Sequence, residues 1–596
     1  MMMYKRVKKL VNFSRTSGVF FLFFGIFIKS TIEVIGVASI TPFVAVMVNP
    51  EIVQTNQYLN YAYEYFSFDN NTIFLNYLGA VTLILLITSN IISALVEWMI
   101  IRFSKVMEYR LSTQLLSQYL LNKYVFFLDN NSSKLGKNII SEVQRCIDGV
   151  IIPLMVACSR FVTAAFIVVL LVYVEPIPAF GVGILFGGGY FLIYVFVRKR
   201  LFNLGSLSSE ALSIRFKTIN EAFLGVKDIK LRGIEKTFIS RYKKSAKRLA
   251  YYNIYQHVVS ILPRYILESL AFGGVVLVMI YLVNKGGSAQ NIIPIVALYA
   301  VAGYKLLPAL QNIYSAIVTV KFNIPALIIL TDDLKDKELC NPSQKNSNLS
   351  PIEFKDNFDL NSIFFKYPNS DNYAINNLSL NIKAHSTIGI VGTTGSGKTT
   401  LIDIILGLLE SDSGRVNVDN NILDSKNIHL WQKKISYMPQ SVYLIDDTIY
   451  ANIAFGLAND EIETDKVIKA AKVANLNDFI VSLKDGYNTQ IGEQGVKLSG
   501  GERQRLGIAR AVYDNPEIIV LDEGTSALDT VTEVAVMEAI NSLAKEKTII
   551  LIAHRLSTVK DCDIIYLLND GEIEDSGTYI ELVSKNDKFK KMTGEK

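Results

Sequence analysis

Six apolar stretches, near 17–48, 72–101, 149–173, 176–197, 256–284 and 288–320, limit the possible folds of this chain most strongly. Each is long enough to cross a hydrocarbon layer as a helix, which takes about 20 residues. Lipid offers the backbone no hydrogen-bonding partner, so such a stretch must satisfy its own N–H and C=O groups, and a helix does this. The sequence therefore predicts an all-α first unit over 1–330 with six helices. Lys5, Arg6, Lys8, Lys9 and Arg15 precede the first stretch, as in a signal peptide, but Gly18–Val48 is too long for one and reads as a retained helix.

Loop charge sets the orientation. The segment 49–72 has no Lys or Arg, whereas 102–147 and 198–248 are rich in both. Both termini are thus expected on the cytoplasmic side of a multi-pass protein. The basic segments have helical patterns, with Phe126-Phe127-Leu128-Asp129 and Ala222-Phe223-Leu224-Gly225-Val226 as candidate cross-helices. The polar tract 331–352, which includes Asn341-Pro342-Ser343, reads as a linker to a second unit over 353–596. Four scattered cysteines have neither metal nor disulfide spacing, and a net charge of +5 gives no case for a nucleic-acid partner.

The second unit carries Gly392-Thr393-Thr394-Gly395-Ser396-Gly397-Lys398-Thr399 between an apolar strand pattern, Thr387–Val391, and a helical one, Thr400–Glu410. This is a phosphate loop in the setting it needs. Its glycines let backbone N–H groups turn toward phosphates, and the helix N-terminus adds positive potential. Lys398 would hold the β- and γ-phosphates of ATP, with Thr399 as a Mg²⁺ ligand and Thr400 beside it.

Further on stand Leu498-Ser499-Gly500-Gly501-Glu502 and an apolar run ending in Asp522-Glu523. Together these resemble the ATPases of the ABC class over about 353–585. The resemblance implies an α/β fold, ATP and Mg²⁺ as cofactors, and a set of roles. Tyr367 would stack on adenine. Gln440 and Asp522 would join Thr399 in placing Mg²⁺. Glu523 would be the general base for water, and His554 would contact the γ-phosphate. Ser499, Gly500, Gly501 and Glu502 form the signature, with Glu502 where the family more often has Gln, and Asp529 belongs to the loop that follows. Six spans and one ATPase resemble an ABC exporter half-transporter, so the partner expected is a second identical subunit with two composite sites.

Charges inside spans usually face a cavity or a partner. Lys29/Glu33 and Arg264/Glu268 are each spaced i,i+4 and could neutralise themselves. Arg160 and Lys305 have no acid at helical spacing in their own spans. Lys305 and Arg160 are therefore candidate substrate residues, suited to an anionic head such as a pyrophosphate. Tyr58, Tyr61, Tyr65, Phe66 and Phe68 recur at near-helical spacing before the second span, as a membrane-interface anchor or a guide for a lipid tail.

Ser30-Thr31-Ile32-Glu33-Val34, Leu262-Pro263-Arg264-Tyr265-Ile266-Leu267-Glu268 and Tyr304-Lys305-Leu306-Leu307-Pro308 resemble the bacterial lipid-linked oligosaccharide flippases. That resemblance implies an inner-membrane homodimer moving a lipid-pyrophosphate-linked glycan outward, with Arg264 and Lys305 as candidates to hold its pyrophosphate. A multidrug, lipid A-type or peptide exporter would share the fold and every ATPase residue. A ribosome- or DNA-repair-type ABC ATPase would not carry fused spans.

Overall fold

The computed structural model describes residues 5–7, 10, 17–284, 289–334, 352–368, 370–522, 534, 538, 546–553 and 556–593. The chain divides into two units, Met1–Asn122 with Phe126–Asn341, and Lys123–Val125 with Pro342–Lys596.

The first unit is helical. Its long helices are Ser17–Ala38, Asn71–Leu120, Ile152–Val174, Pro176–Leu224, Glu235–Asn284 and Ala289–Asp333. Among the described residues, four stretches are long and apolar enough to cross a membrane: Phe20–Val48, Asn71–Leu120, Ser132–Val174 and Ile293–Asp333. This is a multi-pass membrane unit. The expected spans 176–197 and 256–284 fall in Pro176–Leu224 and Glu235–Asn284, where several side chains lie outside the described residues.

The first span departs from the expected single helix. A second helix, Ile40–Val48, restarts after Ser39, whose hydroxyl donates to the Gly36 carbonyl at 2.8 Å. Such side-chain bonds compete with the helix ladder. The aromatic stretch forms a short helix, Gln57–Tyr65, capped by the Asn56 side chain. Tyr58, Tyr61 and Tyr65 are exposed on it. The candidate cross-helices form as Tyr124–Asp129 and Val226–Arg232. The second starts later than expected because Ala222–Leu224 still belong to the long helix, which Gly225 ends.

Close helix approach depends on Gly205, where a Cβ would lie 1.8 Å from the Phe322 carbonyl oxygen. No side chain fits there without separating Pro176–Leu224 from Ala289–Asp333.

The second unit is α/β. Its strands are β1 Asn357–Phe365, β2 Ile375–Lys383, β3 Thr387–Gly392, β4 Ser413–Val418, β5 Asn421–Ile422, β6 Ile435–Met438, β7 Ile518–Asp522, β8 Thr548–Ile552, β9 Ile564–Asn569 and β10 Glu572–Gly577. A six-stranded sheet runs β10-β9-β3-β8-β7-β6, and a four-stranded antiparallel sheet runs β2-β1-β4-β5. Strands β9 to β6 are parallel. β3 and β8 are buried throughout, as their continuous apolar sequences require in a sheet covered on both faces.

Helix Lys398–Ile405 follows β3 and stops short of the expected Glu410. Gly407 takes a left-handed φ of 67° and turns the chain. The buried Trp431 stacks on Phe358 at 4.8 Å and donates its indole N–H to the Ile405 carbonyl at 2.7 Å. That contact fixes the far end of the phosphate-loop helix.

Candidate functional site

Strand register gathers the expected ATPase residues on one edge of the six-stranded sheet. Ile390 of β3 lies opposite Ile552 of β8, Ile552 opposite Asp522 of β7, and Leu521 of β7 opposite Met438 of β6. The loop from Gly392, the Asp522 carboxylate and the turn bearing Gln440 therefore leave the sheet at the same carboxyl edge. Open α/β sheets bind ligands at this edge.

Lys398 is buried, and its Nζ donates to the carbonyls of Gly392 and Thr393 at 2.8 and 2.9 Å. This ammonium is folded into the loop. Gly397 has φ 99°, and a Cβ there would lie 2.7 Å from the Ala374 carbonyl oxygen. The buried Ser396 hydroxyl has no hydrogen-bond partner among the described residues. An orphaned hydroxyl, an inward ammonium and a helix N-terminus fit the phosphates of ATP with Mg²⁺. Thr399 opens the helix within this cradle, and the Tyr367 hydroxyl bonds Thr400 Oγ1 at 3.0 Å. Tyr367 also meets Phe365 edge-on. Gln440 is exposed just after β6.

Ser499 caps the helix Gly500–Val512. Its hydroxyl accepts from the Glu502 N–H at 3.3 Å, and the Glu502 carboxylate accepts from the Ser499 N–H at 2.7 Å. This capping box accounts for an acid at the fifth signature position. Ser499 and Gly500 are exposed. Glu523, Asp529 and His554 lie outside the described residues.

Three residues of this unit were not found from the sequence. Asp403 sits on the phosphate-loop helix, 9% exposed, and burial together with the Asp522 carboxylate pushes its carboxyl up to about 6. The signal was an acid within the apolar run Leu401–Leu406. Tyr437 donates its hydroxyl to Asp522 at 3.2 Å, and burial and that carboxylate raise its phenol. Arg510 ties the signature helix to the Tyr443 carbonyl (2.7 Å), in the loop after Gln440, and to the Asn452 carbonyl (2.9 Å), in the short helix Ile449–Ile453. Burial lowers its guanidinium to about 10.

Of the candidate substrate residues, Arg160 and Lys305 both lie near Lys29, and Arg264 has other neighbours. Arg160 pairs with Glu97, and Lys305 reaches Glu33 at 3.4 Å and Asn90 at 3.5 Å. Arg264 pairs with Glu268 on its own helix at 2.7 Å, as spacing allowed. The other i,i+4 pair does not form. Lys29 donates to Ser159 at 3.1 Å, and Glu33 instead accepts from Thr163 at 3.3 Å as well as from Lys305. Helices are round, so facing helices compete for charges that spacing alone assigns to one.

A model of the ABC transporter family matches residues 375–526. The chain is 40% identical over 254 residues to ABC transporter B family member 14 of Arabidopsis thaliana, covering 42% of this chain and 20% of that protein. It is 37% identical over 238 residues to an ATP-dependent lipid A-core flippase of Aliivibrio fischeri, covering 40% and 41%. With the lipid A-core flippase of Saccharophagus degradans it shares 32% identity over 366 residues, 61% of each chain. The chain thus spans between 20% and 61% of the length of these curated relatives. Over the whole length it matches the structure of a bacterial Atm1-family ABC exporter with ATP bound, at TM-score 0.75 and 20% identity, covering 94% of this chain and 97% of that one. The chain therefore has the fold of an ABC exporter, in which a helical membrane unit precedes an ABC transporter ATPase domain.

Proposed function

We propose that this chain is a homodimeric ABC exporter that hydrolyses ATP to flip an amphipathic, anionic lipid outward across the cytoplasmic membrane. The observation that carries this reading is the shared sheet edge of the phosphate loop, Gln440 and Asp522, in a chain that also has membrane-length apolar helices. The lipid cargo we favour is a lipid-pyrophosphate-linked glycan. Relatives named as lipid A-core flippases favour a lipid A-type cargo as the second reading.

Phosphoryl transfer to water needs charge neutralisation and a placed nucleophile. Lys398 leaves the loop carbonyls to hold β- and γ-phosphate oxygens, and the Ser396 hydroxyl gains an acceptor. Thr399, Gln440 and Asp522 would hold Mg²⁺, which supplies positive charge on the phosphates when bound. Tyr437 and Asp403 flank Asp522 and set its position and charge. Glu523 takes a proton from the attacking water as its oxygen bonds the γ-phosphorus and the bond to the β-bridging oxygen breaks. His554 keeps Glu523 and water aligned. The exposed Ser499 edge of one copy completes the site of the other, in keeping with its surface position. The basic segments 102–147 and 198–248 support a cytoplasmic ATPase domain.

The test uses proteoliposomes holding fluorescent lipid-linked glycan or fluorescent lipid A, with and without ATP. ATP-dependent loss of inward-accessible glycan supports the first cargo. Movement of lipid A alone supports the second, and movement of neither refutes lipid export.

A further inference from the structure

Three cations of the helical unit meet in one hollow. It is a cavity of about 410 Å³ lined by Tyr194, Arg198, Lys199, Phe202 and Asn203 of one long helix and by Lys321 of another. Arg198 and Lys199 are exposed, and Lys321 is half-buried, with its ammonium 5.4 Å from the centre of the Phe202 ring. That ring holds the ammonium at the cavity wall without neutralising it. Lys321 stands roughly four helical turns beyond Lys305 on the same helix, so the hollow is separate from the Glu33–Lys305 network. Arg200 lays its guanidinium over the Tyr255 ring at 4.8 Å and takes no part.

The helices around the hollow supply no acid to balance these charges. Pro176–Leu224, Glu235–Asn284 and Ala289–Asp333 pack on one another, and their segments 176–209, 236–267 and 289–331 contain no Asp or Glu. Two basic residues in a row at the end of a span follow from the positive-inside bias and need no pocket. Lys321 is different, because it comes from a second helix and brings a third like charge into the same hollow. Like charges gathered between low-dielectric walls focus a positive field, and an anion among them relieves the repulsion. Phe191, Leu192 and Phe196, within about two helical turns of Arg198, are exposed and belong to the expected span 176–197. The hollow thus sits where an exposed apolar band gives way to cations, which is the depth of lipid head groups.

We propose that this hollow binds the head group of an anionic glycerophospholipid resident in the membrane. Arg198 forks onto phosphate oxygens, Lys199 and Lys321 add charge, and Asn203 and Tyr194 supply hydrogen bonds. The acyl chains lie along Phe191 and Phe196. Charge and shape carry the site; only the naming of its leaflet as cytoplasmic rests on the orientation proposed above.

The test is native mass spectrometry of the full chain, titrated with dioleoyl phosphatidylglycerol or dioleoyl phosphatidylcholine, with glycerol 3-phosphate as a soluble competitor. Wild type binds phosphatidylglycerol more tightly than phosphatidylcholine, and excess glycerol 3-phosphate does not displace it. Each cation removed weakens binding about fivefold, so R198Q/K199Q/K321Q weakens it about 100-fold. K243Q/K244Q/K247Q removes the same charge from exposed positions outside the cavity and changes binding by no more than about twofold. K321Q alone shows the fivefold loss while keeping Arg198 and Lys199, so it tests the hollow even if the triple variant folds poorly. Equal weakening by the two triple variants, unchanged affinity in K321Q, or no preference over phosphatidylcholine overturns the proposal. Displacement by glycerol 3-phosphate overturns its assignment to a lipid. Selective phosphatidylglycerol binding that K321Q weakens, in a protein that moves no lipid in proteoliposomes, supports this site and refutes the export reading.

Discussion

Replacing Lys305 by Met strands a carboxylate inside the helical unit. Glu33 is 4% exposed and lies 3.4 Å from the Lys305 ammonium. Removing one partner of a buried ion pair costs about 3–5 kcal/mol. Three features of this site reduce the loss. Thr163 still donates to Glu33 at 3.3 Å, and Lys29 stands one helical turn away on the same helix. Lys305 is itself 23% exposed, so part of its charge is already solvated. The expected loss for K305M is therefore about 1–3 kcal/mol, or a drop in Tm of roughly 1–4 °C in nanodiscs for a unit of this size. The double variant E33Q/K305M removes the stranded carboxylate and regains part of this loss, the remainder reflecting the buried Lys29 left without Glu33. Thermal unfolding of wild type, both single variants and the double variant closes the cycle. A K305M Tm equal to that of wild type, or a double variant less stable than K305M, would refute the buried pairing. Translocation in the double variant separates roles: a structural Lys305 restores it with Tm, whereas a lysine that contacts cargo does not.

Three further outcomes follow from the ATPase domain. The folded-state carboxyl of Asp403 titrates near 6 against an ordinary value of 3.8, so the folded chain holds this proton more tightly and loses stability as pH rises from about 4 to 6. D403N removes that loss and raises Tm at pH 7.5 but not at pH 4, and equal shifts at both pH values would contradict the assignment. E502A breaks the capping box and costs about 1 kcal/mol, whereas E502Q keeps it, as thermal unfolding of the two variants would show. K398M leaves the fold intact and lowers ATP hydrolysis at least about 100-fold, as measured by phosphate release. Hydrolysis near the wild-type rate would remove Lys398 from the site.

The ATPase domain was legible in the sequence because its chemistry is local. A phosphate loop is a contiguous run whose strand and helix flanks sit beside it, and β3 and the helix from Lys398 formed where the pattern put them. The end of that helix was misread because Leu408-Leu409-Glu410 extend the apolar period past Gly407, which turns the chain. Asp403 and Tyr437 escaped notice because their importance lies in their distance from Asp522, over 80 residues away in sequence for Tyr437. The membrane charges failed differently. Spacing identified Arg264 with Glu268 correctly, since both lie on one helix face. Lys29 and Glu33, which spacing allowed to pair, make their direct bonds to Ser159, Thr163 and Lys305 of other helices.

The most direct measurement is ATP-dependent movement of a fluorescent anionic lipid in proteoliposomes, comparing wild type with E523Q. Coupled turnover predicts that wild type depletes lipid from one leaflet only with ATP and Mg²⁺, while E523Q binds ATP but moves none. Equal movement by both proteins, or steady hydrolysis by wild type with no change in leaflet distribution, would contradict it.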